Sequence, residues 1–245
     1  MPDQVLSYVN EDGDRMGLGL LPRELACGEI PGVLKWDGAE DACPLVPRVE
    51  WREQSDLRCY EKDDIFQNGY PACCLAGGAN VVEFFLARAG RWVKLDWYRA
   101  WYDLSRGAGG VAIDAGVRYA MDKGFPIAGS GGKERIHVTE VWDCPSIEAA
   151  VSGLLRGGLL WFGWHFPGGP HCEAGTRYVK TIAGEFIDTR NSHGKSYGQE
   201  GWHLIPLANI AAGIKDFGAF IVREVEVRRN GIPDLKIGKG IGGKP

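Results

Sequence analysis

The apolar pattern of the chain changes near residue 136, and this change limits the possible folds more than any other feature. In the first half, apolar residues recur at helical spacing in three segments, which are residues 74–88, 94–105 and 111–123. In the second half, a helix is predicted at 147–156 with Ser146 as its N-cap, and the other apolar runs are typical of strands. The sequence therefore predicts an α+β fold, with a helical N-terminal lobe at about 60–135 and an antiparallel β lobe at about 136–227.

The second half contains five predicted strands, which are residues 159–166, 171–180, 184–190, 201–205 and 218–222. In an antiparallel pair, a turn centred near residue 182 places residue 171 close to residues 191–193. Side chains at these positions can therefore form one site. Two lobes of different class also imply a cleft between them, which is a common location for a functional site.

The segments at the two ends of the chain lack a clear periodic pattern. Residues 1–46 are rich in Gly and Pro and are predicted to form an irregular N-terminal arm. Residues 228–245 end in a run of Lys, Ile and Gly and are predicted to form a flexible C-terminal tail. This leaves residues 47–227 as the folded domain.

Composition excludes several classes of function. The chain has 245 residues and a net charge of −4, so it offers no basic footprint for nucleic acid. No apolar run is long enough to span a bilayer, and the first residues lack the basic start and apolar core of a secretory signal. We therefore expect a cytoplasmic or particle-associated protein that binds neither nucleic acid nor a membrane.

The cysteine pattern supports the same compartment. The seven cysteines are residues 27, 43, 59, 73, 74, 144 and 172. None of them forms a C-x-x-C pair, so we do not expect a structural zinc site. Without a secretory signal, mostly free thiols in a reducing compartment are expected. The chemistry inferred below requires neither a metal nor a cofactor.

The segment Gln67–Ala76, with the sequence Gln-Asn-Gly-Tyr-Pro-Ala-Cys-Cys-Leu-Ala, carries the first candidate catalytic residues. A helix that begins at or near Cys73 would direct unpaired N–H groups and the positive end of its dipole at the sulfur, which favours the reactive thiolate. Gln67 and the backbone N–H of Cys73 are the candidate oxyanion donors. Cys74 is the alternative nucleophile, but the six-residue spacing from Gln67 favours Cys73.

The other candidates lie far downstream. His171 follows Gly-Gly-Pro and is the candidate general base, and Asn191 can face its imidazole from the neighbouring strand. His165 is the alternative base. Its position inside an apolar strand favours a hydrogen-bonded core histidine instead. Cys73 would come from the helical lobe and reach His171 across the cleft.

Five short motifs occur in a fixed order, and they are Val49–Arg52, Gln67–Leu75, Gly107–Gly110, His171–Glu173 and Asn191–Trp202. In order and spacing they resemble the papain family of cysteine peptidases, from about residue 47 to about residue 222. The resemblance implies a papain-like two-lobe fold with the site in the cleft between the lobes.

The resemblance also implies a set of site residues. The implied catalytic residues are Cys73, His171, Asn191 and Gln67. Gly109 and Gly110 would offer backbone groups to an extended substrate. Ala115, near the start of the following helix, would border a small apolar side-chain pocket.

Several positions depart from the family pattern. The family usually ties the turn before the nucleophile to the Gly-rich loop by a disulfide, whose two positions are Tyr70 and Ala108 here. The Trp that shields the His–Asn hydrogen bond is replaced by His193, and the Trp after the nucleophile is replaced by Cys74. The usual long inhibitory propeptide does not fit in the 46 residues of the arm.

The predicted function is that of a cysteine peptidase or amide hydrolase, which acts on a peptide or protein through a thioester acyl-enzyme. The alternative is a catalytically weak or inert papain-fold component of a larger assembly, for example a virion or secretion particle, joined through the N-terminal arm. A third interpretation is acyl transfer to an amine acceptor by the same chemistry.

Overall fold

The structure is a computed structural model of the chain, and it describes residues 7–9, 15–17, 20–23, 33–35, 45–62 and 64–238. The rest of the predicted N-terminal arm lies outside the described residues, including Cys27 and Cys43. So does the end of the predicted tail, residues 239–245.

The described residues contain five α-helices, which are α1 (Cys73–Arg88), α2 (Trp97–Ser105), α3 (Ile113–Asp122), α4 (Ile147–Leu155) and α5 (Leu207–Phe217). The first four confirm the predicted helices, with ends that differ by up to three residues. The Ser146 side chain accepts a hydrogen bond from Ala149 N, so this residue caps α4 as predicted.

Helix α5 is not predicted from the sequence. Its buried residues Leu207, Ile210, Ile214 and Phe217 do recur at helical spacing. A glycine in mid-helix weakens this pattern, because glycine lowers helix propensity. Packing explains the glycine, since a Cβ at Gly213 would lie 2.4 Å from the carbonyl oxygen of Gly163.

Thirteen strands are present in the described residues. The first six are β1 (Ser7–Val9), β2 (Arg15–Gly17), β3 (Leu20–Leu21), β4 (Leu34–Lys35), β5 (Val111–Ala112) and β6 (Phe125–Pro126). The other seven are β7 (Glu134–Asp143), β8 (Leu159–Phe166), β9 (Gly169–Thr181), β10 (Gly184–Arg190), β11 (Trp202–Pro206), β12 (Ala219–Arg229) and β13 (Ile232–Gly238).

Nine of these strands form the main sheet, in the order β11–β10–β9–β8–β12–β7–β4, with β13 paired to β12 and β6 paired to β7. All of its pairs are antiparallel except β4 with β7. The five strands predicted in the second half are confirmed as β8 to β12. The β9–β10 hairpin turns between Thr181 and Gly184, as predicted.

Helix α1 is the centre of the hydrophobic core. All of its residues from Cys73 to Ala87 are buried, because α1 packs against β8 and β9 and against the helices α2 and α3. Two glycines allow the close approach. A Cβ at Gly78 would lie 2.4 Å from the Trp161 ring, and one at Gly77 would lie 3.3 Å from the carbonyl oxygen of Cys172.

The structure corrects the prediction of a flexible tail over residues 228–245. Strand β12 continues to Arg229 and pairs with β13, so residues 228–238 belong to a β-hairpin. The facing residues Val225 and Ile237 are both buried, which gives this hairpin an apolar anchor.

Short strands occur among the described residues of the N-terminal arm. Strand β1 pairs with β2, β3 pairs in parallel with β5, and β4 pairs in parallel with β7. Two of the arm's short strands are therefore attached to the folded domain, and one of them, β3, pairs with the strand that directly follows the Gly-rich loop.

Candidate active site

Cys73 is the first residue of α1, as predicted, and it is buried. Ala72 at the N-cap offers no side-chain hydrogen bond, so the first-turn N–H groups have no side-chain cap. One turn after Cys73, Gly77 meets the backbone of Cys172 on β9. Because His171 is the preceding residue of that strand, the start of α1 lies beside the part of β9 that carries His171.

The Gln67 loop is joined to the segment that follows β10. Gln67 N donates a hydrogen bond to Ser192 O at 2.9 Å, and Phe66 forms an isolated antiparallel bridge with His193. The Gln67 side chain is also held, because Nε2 donates to Tyr70 O at 3.0 Å and Oε1 accepts from Ser192 Oγ. These bonds fix the candidate oxyanion amide beside the segment that contains Asn191.

His171 lies on β9 opposite Trp164 of β8, and its ring is fully buried. The ring stacks on His193, with centroids 4.2 Å apart and planes 28° apart, and Phe166 lies 5.3 Å away. Neither ring nitrogen of His171 has a hydrogen-bond partner among the described residues. Burial and then His193 lower the pKa of His171 well below its usual value, and Glu173 opposes them only in part.

Asn191 does not form the predicted hydrogen bond with His171. The last β9–β10 pair joins Arg190 to Ala174, and three residues beyond it lie His171 on β9 and His193, which follows the end of β10. His193 therefore occupies the level of the imidazole, and Asn191 stops two residues short of it. Asn191 Oδ1 accepts a hydrogen bond from His193 N at 2.7 Å, and its Nδ2 has no hydrogen-bond partner among the described residues.

A buried carboxylate lies next to the imidazole instead. Glu173 Oε1 is 3.6 Å from His171 Nε2 and accepts a hydrogen bond from Trp164 Nε1 at 3.2 Å. Its other oxygen, Oε2, lies 2.6 Å from His203 Nε2. Burial by itself would raise the pKa of Glu173, but His203 and then His171 lower it to about 2. The pKa of His203 is raised, because Glu173 outweighs the opposing effect of burial.

The sequence alone assigns no role at the imidazole to Glu173 or His203, and it gives His193 only as the replacement for the shielding Trp. One available signal is the strand period, because residues two apart on a strand share a face, and Glu173 is two residues after His171. The position of His203 depends on β11 lying beside β10, which no local pattern reveals.

The alternative candidates lie in different surroundings. The Cys74 thiol lies 3.6 Å from Ala112 O, and burial raises its pKa. Cys172 interacts with it through a side-chain hydrogen bond, and burial raises the pKa of Cys172 well above its usual value. His165 is exposed and lies 2.6 Å from Asp216 Oδ2, so it is not a core histidine.

An aromatic cluster stands where the family has a disulfide. The Tyr70 ring contacts Tyr98 at 4.9 Å and Trp101 at 5.5 Å between centroids. Trp101 Nε1 donates a hydrogen bond to Gly109 O at 3.2 Å. The turn before Cys73 and the Gly-rich loop are thus joined by ring packing and one hydrogen bond. Gly109 is exposed and has a φ of 72°, a conformation that glycine adopts readily.

Gly110 is half-buried and leads directly into β5. Ala115, in contrast, lines a cavity of about 510 Å³ whose other walls include Arg118, Tyr119 and Arg135. None of the predicted catalytic residues lines that cavity. The structure therefore does not join Ala115 to the proposed site through a shared pocket.

Strand β3 of the arm pairs with β5, the strand that follows the Gly-rich loop. Leu20 pairs with Val111 and Leu21 with Ala112, in parallel. The Leu20 side chain is buried in the same core cluster as Cys73, and a Cβ at Gly163 of β8 would lie 2.5 Å from its Cδ2.

The arm is also held by an ion pair and a hydrogen bond just beyond β3. The Arg23 guanidinium forms an ion pair with the fully buried Asp143, and Arg23 N donates a hydrogen bond to Asp216 O at 3.1 Å.

The residues predicted to be catalytic are all fully buried, and they are Gln67, Cys73, His171 and Asn191.

Among the residues that the structure describes, no group of three or more His, Cys, Asp or Glu side chains is arranged to hold a metal ion. No described helix is both long and apolar enough to cross a membrane.

No family model matches the chain, and no curated protein matches it. Solved structures of cysteine proteases do resemble it. Xylellain, a cysteine protease from Xylella fastidiosa, superposes with a TM-score of 0.61 at 14% identity, covering 84% of this chain and 96% of the other. The proCathepsin B S9 from Trypanosoma congolense superposes with a TM-score of 0.62 at 11% identity, covering 89% and 87%.

The digestive procathepsin L 3 of Tenebrio molitor larval midgut gives a TM-score of 0.54 at 14% identity. The match covers 71% of this chain and 66% of that procathepsin, slightly less than two thirds of its length. At these identities the likeness shows the fold alone. The predicted α+β, papain-like two-lobe fold is confirmed.

Proposed function

We propose that the chain is a papain-like cysteine peptidase that is held latent by its own strand β3. The packing of α1 on β9 supports this most directly. Cys73 begins the helix, and His171 lies one residue before Cys172, the point where Gly77 of the helix meets the strand. The substrate of such a site is a peptide or protein, because the chemistry below cleaves an amide bond.

In the proposed reaction, the Cys73 thiolate attacks the carbonyl carbon of the amide while His171 is an imidazolium. As the tetrahedral intermediate collapses, the C–N bond breaks and His171 gives its proton to the leaving amine. Water then attacks the thioester, with His171 as base, and regenerates the Cys73 thiol. In an unliganded site, catalytic hydrogen bonds are often long and tighten only when substrate binds.

Gln67 is the proposed side-chain donor to the oxyanion, together with the backbone N–H of Cys73. Its bonds to Ser192 and Tyr70 support the role, because a donor that is already oriented costs no reorganisation during the reaction. Gln67→Ala is expected to lower kcat by about 100-fold to 1,000-fold.

Cys73 is the proposed nucleophile because it begins α1 and because the thiol of the next residue, Cys74, lies in an unfavourable environment. It occupies the helix start, where the dipole favours a thiolate. Cys74 has a pKa raised by burial and is turned toward Ala112 and Cys172. A thiol in that environment is a poor nucleophile.

Latency follows from the burial of the site. A substrate strand needs the backbone edge of the Gly-rich loop and β5, and β3 already pairs with β5. Leu20 fills the space next to Gly163. Displacing β3 is therefore the step that would admit a substrate.

The experiment compares full-length chains that carry Leu20→Asp or Leu21→Asp. Leu20 is 1% exposed and Leu21 is 40% exposed, so only the first charge has to leave the core. We expect Leu20→Asp to raise hydrolysis of a fluorogenic peptide by at least about tenfold and to speed alkylation of Cys73 by iodoacetamide, mapped by peptide mass. Leu21→Asp should match the unmodified chain.

Circular dichroism checks that each variant is folded. Adding Cys73→Ala to the Leu20→Asp chain should abolish turnover. A folded Leu20→Asp chain that hydrolyses no peptide, and whose cysteines all react equally with iodoacetamide, would refute the proposed peptidase function.

A catalytically inert papain fold is the second candidate. The observation that favours it is the full burial of Cys73 and His171, together with the lack of a hydrogen-bond partner for either His171 ring nitrogen among the residues that the structure describes. The same experiment separates the two candidates, because an inert fold gains no activity when Leu20 is displaced.

A further inference from the structure

We propose that Glu173, rather than Asn191, is the positioning residue for His171. The inference rests on the proposed function, since it assigns an orienting group to the base of that reaction. The first observation is the β9–β10 register, which places His193 rather than Asn191 level with His171.

Asn191 is engaged elsewhere. Its side-chain oxygen, the acceptor that would orient an imidazole N–H, receives the His193 backbone N–H at 2.7 Å. Its Nδ2 is a donor and cannot stabilise an imidazolium. Asn191 therefore holds the backbone of His193, which in turn stacks on the His171 ring.

Glu173 is in position to act on the imidazole directly. It lies two residues after His171 on β9, so the two side chains share a face of the sheet. Oε1 is 3.6 Å from Nε2, slightly longer than a hydrogen bond, and both side chains are fully buried. Charges this close interact strongly away from water, so a proton on His171 is stabilised by the carboxylate.

The surroundings keep this carboxylate ionised and fixed. His203 and Trp164 donate to its two oxygens, and the pKa of Glu173 is lowered to about 2. Because Nε2 is the ring nitrogen close to Glu173, Nδ1 is the one that remains for the Cys73 thiol in the proposed reaction. The stacked ring of His193 limits rotation out of this orientation.

The groups that set the charge of His171 come from four elements. Glu173 lies on β9, His203 on β11, His193 after β10, and Cys73 at the start of α1 is the partner that the proposed reaction requires. Of these four groups, Glu173 is the carboxylate. While the Cys73 thiol is still protonated, Glu173 is therefore the group among them that stabilises a protonated His171 ring.

The test uses the full-length Leu20→Asp chain as parent and compares Glu173→Gln with Asn191→Ala. Glu173→Gln keeps the shape and removes the charge. We expect kcat to fall by about 100-fold or more with little change in KM, and the alkaline limb of the pH profile to move to lower pH. Asn191→Ala should lower kcat by less than about tenfold and leave that limb unchanged.

A second readout does not depend on turnover. NMR titration of the His171 ring should show its pKa lowered by about one unit or more in Glu173→Gln, and unchanged in Asn191→Ala. Glu83→Gln is the matched control. It neutralises another buried carboxylate, which accepts hydrogen bonds from Trp92 Nε1 and Leu95 N, and it should leave the His171 titration as it is.

The two proposals fail in different ways. A parent without turnover whose His171 titration still responds to Glu173→Gln would overturn the peptidase and leave the Glu173–His171 pairing standing. An active parent in which Asn191→Ala, and not Glu173→Gln, moves the pH profile and the His171 titration would overturn the role of Glu173.

Discussion

The Leu20 side chain occupies the space beside Gly163, where an added Cβ would lie 2.5 Å from Leu20 Cδ2. Gly163 pairs with Cys172, the neighbour of His171 on β9. A two-residue strand of the N-terminal arm is thus packed next to the strand of the proposed base. The same strand pairs with β5, which directly follows the Gly-rich loop. Under the proposed latency, opening of the site requires that Leu20 separate from β8.

Leu20→Ala is expected to destabilise the chain by about 2–3 kcal/mol, because it removes a fully buried leucine and leaves a cavity. It should also speed hydrogen exchange at the Val111 and Ala112 amides, which face β3. Urea unfolding and exchange mass spectrometry measure the two effects. Leu21→Ala, at a 40% exposed position, should change stability by less than about 0.5 kcal/mol. Equal losses at both positions would contradict a buried anchor at Leu20.

Local patterns predict the parts of the site that lie within one element. The start of α1 at Cys73 follows from a Gly/Pro turn next to an apolar run, and Ser146 as an N-cap residue predicts the start of α4. The β9–β10 hairpin is similarly local, because the residues at its turn fix the pairing around it.

Local patterns do not predict the contacts between segments that are far apart in the chain. The hairpin pattern brings residue 171 near residues 191–193, but it does not reveal whether Asn191 or His193, both of which follow β10, meets the His171 ring. Glu173 has the appearance of an ordinary strand residue until β11 brings His203 to it. The parallel pairing of Leu20 with Val111 joins segments that are far apart in the chain, and no short-range periodicity encodes it.

Gly78→Ala is expected to destabilise the chain by about 1–3 kcal/mol, since its new Cβ would lie 2.4 Å from the Trp161 ring. Gly77→Ala is the matched control in the same helix. Its Cβ would lie 3.3 Å from Cys172 O, and the gain in helix propensity offsets part of the crowding. Thermal unfolding should rank Gly78→Ala clearly below Gly77→Ala. The reverse order would mean that Trp161 moves aside at little cost.

Arg190→Met tests a buried cation next to the site. Arg190 is fully buried, and its Nη2 pairs with Glu61 at 2.7 Å and with Asp64. Removing it leaves two carboxylates that are only partly hydrated, and we expect a loss of about 2–4 kcal/mol in the free energy of unfolding. Arg99→Met removes an exposed pair with Asp103 and should leave the free energy of unfolding nearly unchanged. Chemical denaturation distinguishes them, and similar losses would argue against a structural role for burial.

The Glu173–His203 pair should make folding stability depend on pH in a defined window. The pKa of Glu173 is about 2 in the folded chain, below its usual 4.5, so its contribution is present above about pH 4.5 and is lost as the pH falls from there toward 2. The pKa of His203 is raised above its usual 6.5, so its contribution is present below pH 6.5 and is lost as the pH rises through the raised value. The pair therefore stabilises the fold most between about pH 4.5 and 6.5.

Thermal unfolding between pH 2 and pH 8 measures this dependence in the unmodified chain, Glu173→Gln and His203→Gln. Glu173→Gln removes the titrating carboxyl, so the loss of Tm below pH 4.5 should be shallower than in the unmodified chain. His203→Gln removes the nearest cation, which raises the folded pKa of Glu173 and moves the acid limb to higher pH. If Tm depends on pH in the same way in all three chains, the ionisation of Glu173 is not coupled to His203. The main support for an ionised Glu173 beside His171 would then be removed.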